Sequence, residues 1–219
     1  MGTDQLTTPT AGDLDFRLYL VTDREQARGR PLPEIVEECL GAGVRAVQLR
    51  EKDLGALELL TLARPLREMT RRVGARLFIN DRVDVALAVE ADGVQRGHTS
   101  LPVRAIRTIV GPRLLIGASV HSLEEARAAE LDVADFLLFG PVYDTPSKRA
   151  YGPPQGVDAL ARVVQSVGIP VLAIGGITPE RVDDVRQTGA HGVAVISAIL
   201  GAERPADATK LFLQALGSA

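Results

Sequence analysis

Residues 17–25 read Arg17-Leu18-Tyr19-Leu20-Val21-Thr22-Asp23-Arg24-Glu25, a short apolar run that ends in a polar turn without glycine. The run predicts a β-strand. The turn after it excludes one common architecture, because a doubly wound dinucleotide-binding sheet opens its first crossover with Gly-x-Gly-x-x-Gly. Outward from this stretch, strand-like runs recur at Ala46–Glu51, Arg76–Asn80, Asp92–Arg96, Leu114–Ser119, Asp135–Gly140, Pro170–Ile174 and Gly192–Ser197. Helix-like segments separate them: Pro33–Ala42, Gly55–Val73, Arg82–Val89, Pro102–Val110, Leu123–Leu131, Val157–Val167, Pro179–Thr188 and Ala206–Leu216. Ser122 and Thr178-Pro179 are helix-start signals. Strict alternation implies a parallel sheet, since each crossover helix returns the chain to the same edge. Eight units across residues 17–219 leave roughly 25 residues each, close to the smallest closed barrel. The predicted fold is α/β, a single (β/α)8 or TIM barrel over residues 16–219, behind a flexible polar tail at 1–15.

Composition narrows the function classes. Of 219 residues, 46% are hydrophobic, enough for a sizeable core, and 25 basic against 28 acidic residues give a net charge of −3. A general nucleic-acid or membrane-surface binder carries a basic excess, so neither partner is expected. The single Cys39 excludes an intrachain disulfide framework and multi-cysteine metal cages, and fits a reducing cytoplasm. Inside the first helix, Cys39 reads as a small buried apolar residue rather than a nucleophile. No apolar run reaches about 18 residues, so no membrane span is expected. Met1–Asp13 lacks the basic and apolar regions of a secretion signal. Exposed helix faces in such barrels often support a homodimer.

In a barrel of this class, chemistry sits at the carboxyl ends of the strands. The second strand ends Val47-Gln48-Leu49-Arg50-Glu51-Lys52. Alternation puts Gln48, Arg50 and Lys52 on one face and the apolar pair on the other, which aims an amide and two cations into the mouth. Such a set suits a di- or polyanion; a lattice of ion pairs with neighbouring carboxylates is the competing reading. The third strand ends Asn80-Asp81, where Asp81 can serve Mg²⁺ or, as local sequence favours, cap the helix from Arg82. Strand five ends Ser119-Val120-His121-Ser122, with Ser119 and His121 on one face; His121 is a candidate proton carrier, or else His121 and Ser122 only cap the next helix. The polar, proline-rich loop 141–156 carries Thr145, Ser147 and Lys148, two hydroxyls and a cation for a phosphate, though a plain solvated loop competes. Strand seven ends Gly175-Gly176-Ile177-Thr178 and strand eight Ile196-Ser197, turns whose N–H groups suit a phosphate. His98 follows strand four, and His191 lies at the opposite rim with a structural role.

Together these motifs resemble the thiamine phosphate synthase family, from Leu18 to about Ile199. The family's diphosphate strand is similar to Gln48-Leu49-Arg50-Glu51-Lys52, its Asn-Asp pair to Asn80-Asp81, its serine and histidine to Ser119 and His121, and its thiazole-phosphate loop to Thr145-Pro146-Ser147-Lys148, with further contacts at Gly176, Ile196 and Ser197. The resemblance implies that hydroxymethylpyrimidine diphosphate loses diphosphate by a dissociative path while the thiazole nitrogen of hydroxyethylthiazole phosphate bonds to its methylene carbon. It implies Mg²⁺ at Asp81, and pyrimidine diphosphate on Gln48, Arg50, Lys52, Asn80, Ser119 and Lys148. It also implies thiazole phosphate on Thr145, Ser147, Gly176, Ile196 and Ser197. The chain departs from the pattern after strand four. The family's Gln-x-Asp is replaced by His98-Thr99-Ser100, so Ser100 would hold a second metal contact weakly or through water, and Mg²⁺ affinity below the family norm is expected. The sibling thiazole tautomerase family, which often lacks that aspartate, resembles Ser119–Glu125 and implies proton transfer by His121. A non-catalytic binder of phosphorylated ligands is the third reading.

Overall fold

The computed structural model describes residues 14–145 and 153–217. Among them, β1 (Leu18–Val21), β2 (Ala46–Leu49), β3 (Arg76–Asn80), β4 (Gly93–Arg96), β5 (Leu115–Val120), β6 (Phe136–Phe139), β7 (Val171–Ile174) and β8 (Gly192–Val195) pair in chain order, and β8 pairs with β1 to close the barrel. Every pairing is parallel. The outer ring holds α1 (Leu32–Gly41), α2 (Ala56–Arg72), α3 (Val83–Ala88), α4 (Val103–Val110), α5 (Leu123–Leu131), α6 (Gly156–Ser166), α7 (Val182–Gln187), α8 (Ser197–Leu200) and α9 (Pro205–Ala215). No helix of the described residues is long and apolar enough to cross a membrane.

Side-chain alternation divides each strand between two environments. Leu18, Leu20, Val47, Leu49, Leu77, Ile79, Leu137 and Phe139 pack outward against the helices. Tyr19, Val21, Ala46, Phe78, Leu115, Phe136 and Leu138 fill the barrel axis with Phe16. Phe16, Tyr19, Phe78 and Phe136 meet in every pairwise combination, with ring centroids 5.2–5.9 Å apart, mostly edge to face. Each such contact adds about 0.5–1.5 kcal/mol beyond area burial. Two strand glycines make room for these rings: a Cβ at Gly93 would stand 2.4 Å from Phe78, and one at Gly117 the same distance from Phe136. The aromatic layer plugs the amino end of the barrel and leaves the carboxyl end to hold a cavity.

The structure differs from the sequence reading at several boundaries. Strand eight stops at Val195, because Ile196 adopts φ −116° and ψ −88°, outside the extended region, and Ser197 opens the short α8. The segment after Thr178 begins as a 3-10 turn, Pro179–Arg181, before α7. The last helix, α9, packs on α1. Leu14 and Asp15, placed in the tail from sequence, already touch the barrel: Leu14 packs on the axial cluster and Asp15 pairs with Arg76 at 2.7 Å. The rest of the expected tail, 1–13, lies outside the described residues.

Candidate active site

A cavity opens at the carboxyl end of the barrel, and most of the residues singled out from sequence line it. β2 and the turn after it supply Gln48, Arg50 and Lys52; β3 supplies Asn80; β5 and its turn supply Ser119 and His121. Thr145, Gly176, Ile196 and Ser197 complete the opposite wall. Ser147 and Lys148 lie outside the described residues.

The polar order of β2 is held by a buried network that sequence reading missed. Glu51 points away from the cavity and is only 6% exposed. It accepts from the Thr22 hydroxyl at 2.6 Å and from the Arg24 backbone and guanidinium at 3.1 Å each. Thr22 Oγ in turn accepts the Arg50 N–H at 2.9 Å. Glu51 and Asp53 together hold one cation, Arg24, which sits outside the mouth, and the Arg50 backbone is pinned to the turn after β1. Neither Arg50 nor Lys52 forms an ion pair among the described residues, so the competing charge lattice is not what forms. The Lys52 ammonium is held below the ordinary lysine range, first by partial loss of solvent and next by Arg50 beside it, with Asp81 pulling the other way. Two cations without an ion pair among the described residues, one of them destabilised as a cation, make a site that gains from an anion.

Asp81 does not cap α3. The cap position is Arg82, without a side-chain cap bond. The Asp81 backbone takes a left-handed φ of +60°, and its carboxylate reaches across to the β4 loop. There Oδ1 accepts the Gly97 N–H at 2.7 Å and the Ser100 hydroxyl, while Oδ2 accepts from Asn80 Nδ2 at 2.8 Å. Ser100 therefore spends its hydroxyl on Asp81. A carboxylate offers about four lone-pair sites, so Oδ2 still has capacity for a cation. Mg²⁺ is commonly held by one or two carboxylates together with water and substrate phosphates. The donors present fit the one-carboxylate case.

Ser122 caps α5, its hydroxyl accepting the Glu125 N–H at 3.2 Å, but the His121 ring takes no part in the cap. Its Nδ1 donates to the Gly140 carbonyl at 2.5 Å, which leaves Nε2 as the basic nitrogen. Gln95, buried on the inward face of β4, donates to Ser119 Oγ at 3.1 Å. The signal that would have found it is its register: Gly93 and Gln95 share the face that Gly117 and Ser119 share on β5. The amide of Gln48 is buried on the cavity wall, with the buried Tyr19 hydroxyl as its polar neighbour. On the far side, Gly175 and Gly176 have φ +100° and +64°, and side chains there would strike Pro141 at 2.5 Å and the Asp144 carbonyl at 2.6 Å. The two glycines therefore let the 141–145 loop sit directly on the β7 turn.

A family profile described as thiamine monophosphate synthase matches residues 18–199. The chain belongs to this family. Among curated relatives, a thiamine-phosphate synthase of Syntrophomonas wolfei subsp. wolfei is 46% identical over 188 residues, 86% of this chain and 90% of the relative. One from Moorella thermoacetica is 45% identical over 193 residues, 88% of this chain and 92% of the relative. The solved thiamine phosphate pyrophosphorylase from Pyrococcus furiosus superposes with a TM-score of 0.85 at 43% identity, covering 92% of this chain and 96% of that one. As a member of the thiamine monophosphate synthase family the chain is a transferase of thiamine biosynthesis, and its cavity is the place to assign substrates.

Proposed function

We propose that the chain joins hydroxymethylpyrimidine diphosphate to hydroxyethylthiazole phosphate inside this cavity, giving thiamine phosphate and diphosphate. The observation that carries the assignment of residues is that Arg50 and Lys52, which form no ion pair among the described residues, line the cavity together with the buried Gln48 amide. The methylene–oxygen bond breaks, its electron pair leaving with diphosphate, and the thiazole nitrogen lone pair forms the new carbon–nitrogen bond. The positive charge ends on the thiazolium ring, so no general base is required. Arg50 forks onto the departing diphosphate and Lys52 adds a point charge. Gln48, Asn80 and Ser119 orient the pyrimidine diphosphate, with Gln95 fixing the Ser119 hydroxyl. Thr145, Gly176, Ile196 and Ser197 hold the thiazole phosphate on the opposite wall, which sets nucleophile and electrophile face to face. Ser147 and Lys148 keep the roles their motif implies, Ser147 on the thiazole phosphate and Lys148 bridging the two substrates' phosphates.

Asp81 would hold Mg²⁺, with Asn80 and Ser100 beside it, and that ion supplies charge neutralisation for the leaving polyanion. With Ser100 engaged on Asp81, its affinity for Mg²⁺ is set below that of a two-carboxylate site. A homodimer in a reducing cytoplasm is the proposed setting, with a barrel domain of residues 16–219. Burial pushes the Cys39 thiol up to about 11, which suits an inert core residue.

Purified protein given both substrates and Mg²⁺ is expected to form thiamine phosphate, and Arg50→Ala to lower kcat/KM by about 10²–10³-fold. Absence of product, or an Arg50→Ala variant with undiminished kcat/KM, overturns the assignment. Undiminished turnover in excess EDTA overturns the metal.

A further inference from the structure

The reaction above uses neither His98 nor Glu125, yet His98 lines the cavity beside His121 and Glu125 stands next to both. His98 comes from the β4–α4 loop, His121 from the turn after β5 and Glu125 from the first turn of α5. One ligand atom from each lies within 4.8 Å of the other two. His98 Nδ1 is 3.9 Å from Glu125 Oε1, and the two imidazole centroids are 5.8 Å apart. Two of the chain's three histidines are thus brought to one point.

The surroundings are those of a ligand set. The His121 Nδ1 proton is committed to the Gly140 carbonyl, so Nε2 keeps its lone pair. A ligating histidine ordinarily donates its other ring nitrogen to a carbonyl or carboxylate, fixing tautomer and orientation in this way. Glu125 is held too: Oε2 accepts the His121 N–H at 2.7 Å, which leaves Oε1 turned to His98. The His98 side chain is 64% exposed. The Arg96 guanidinium reaches the His98 carbonyl at 3.4 Å rather than the ring.

We propose that His98, His121 and Glu125 bind a borderline divalent transition ion such as Zn²⁺ or Co²⁺, at a site separate from Asp81. Two imidazoles and one carboxylate are the donors such ions take, with one position open to water. Mg²⁺ prefers oxygen donors in octahedral array and would not select this set. Metal–ligand bonds of about 2.0–2.2 Å in a tetrahedral array require the three atoms to close on one another by up to about 1.5 Å, most of it supplied by a rotamer change of the exposed His98.

The test uses the untagged full-length protein, freed of metal and held in excess Mg²⁺, titrated with Co²⁺ by visible absorption and with Zn²⁺ by calorimetry. One equivalent of each is expected to bind, with ligand-field bands for Co²⁺. His98→Ala and Glu125→Gln should each weaken binding about ten-fold or more, with unchanged circular dichroism. Glu125→Gln retains an oxygen for the His121 N–H, so it removes the ligand charge without removing that bond. His191→Ala, at the opposite rim, should bind as the parent does. No stoichiometric binding, parental affinity in His98→Ala, or loss of binding in His191→Ala would each overturn the site. Because thiamine phosphate formation is not the readout, failure here leaves the synthase reaction untouched.

Discussion

Lys52 loses its proton more readily than a free lysine because solvent is partly withdrawn and Arg50 stands beside it. The sign follows directly: as pH rises, the ammonium discharges below the ordinary lysine range, and the site loses one partner for the polyanion. Bound diphosphate favours the charged form and moves the titration back up. The kcat/KM profile, which reports free enzyme, should therefore turn down at lower pH than the kcat profile. Lys52→Arg should abolish that downturn, since a guanidinium stays charged well above the lysine range. Coincident limbs in both profiles would exclude Lys52 as the titrating group. Ser100 poses a second residue-scale question. Its hydroxyl and the Gly97 N–H share Asp81 Oδ1, so Ser100→Asp sets a second carboxylate against the first. Without metal the two repel; with Mg²⁺ they chelate. The Mg²⁺ concentration for half-maximal activity should fall about ten-fold, the equivalent of ~1.4 kcal/mol, and an unchanged titration would show that Ser100 stands away from the metal.

At the scale of elements, the rim of β1 and β2 is tied by Thr22 and Glu51. Glu51→Ala leaves the buried Thr22 hydroxyl and the Arg24 N–H without their acceptor. That costs about 1–3 kcal/mol, a figure that belongs to these two contacts and not to the exposed Arg24 side chain. A barrel of this size should show it as a Tm lower by about 2–10 °C. Because the Arg50 N–H is anchored on Thr22 Oγ, kcat/KM should fall as well, with KM for the diphosphate substrate rising more than kcat drops. Parental Tm and KM would mean that the network neither stabilises the rim nor positions Arg50. The turn after β2 thus performs two tasks with alternate residues: Glu51 outward for the scaffold, Arg50 and Lys52 inward for the anion.

For the whole molecule, the aromatic plug determines that the barrel has one working end. Phe136→Ala removes a fully buried ring that touches Phe16, Tyr19 and Phe78, and should cost about 3–5 kcal/mol in denaturant unfolding. A loss below about 1 kcal/mol would show that the axis repacks freely. His191 marks the opposite rim. Burial holds its imidazole below the ordinary histidine value while it contacts the Phe16 carbonyl at 3.1 Å. The unfolded chain then binds a proton that the folded chain resists, so this residue's contribution is present above about pH 6.5 and declines as pH drops below it. His191→Gln should flatten that part of the Tm-versus-pH curve.

Eight apolar runs spaced by amphipathic segments, with no glycine fingerprint after the first, were sufficient to specify a closed parallel barrel, because hydrophobic period and crossover length are local properties of the chain. The same period placed Gln48, Arg50 and Lys52 on one face, and the cavity follows from that. Three features were beyond local reading: the turning of Asp81 toward Gly97 and Ser100, the Thr22–Glu51–Arg24 tie, and the meeting of His98 with His121 and Glu125. Each joins residues on different strands or loops. Barrel closure sets those distances, and the choice of hydrogen-bond partner, between a neighbouring N–H in the chain and one across a strand, is made only when the strands have come together.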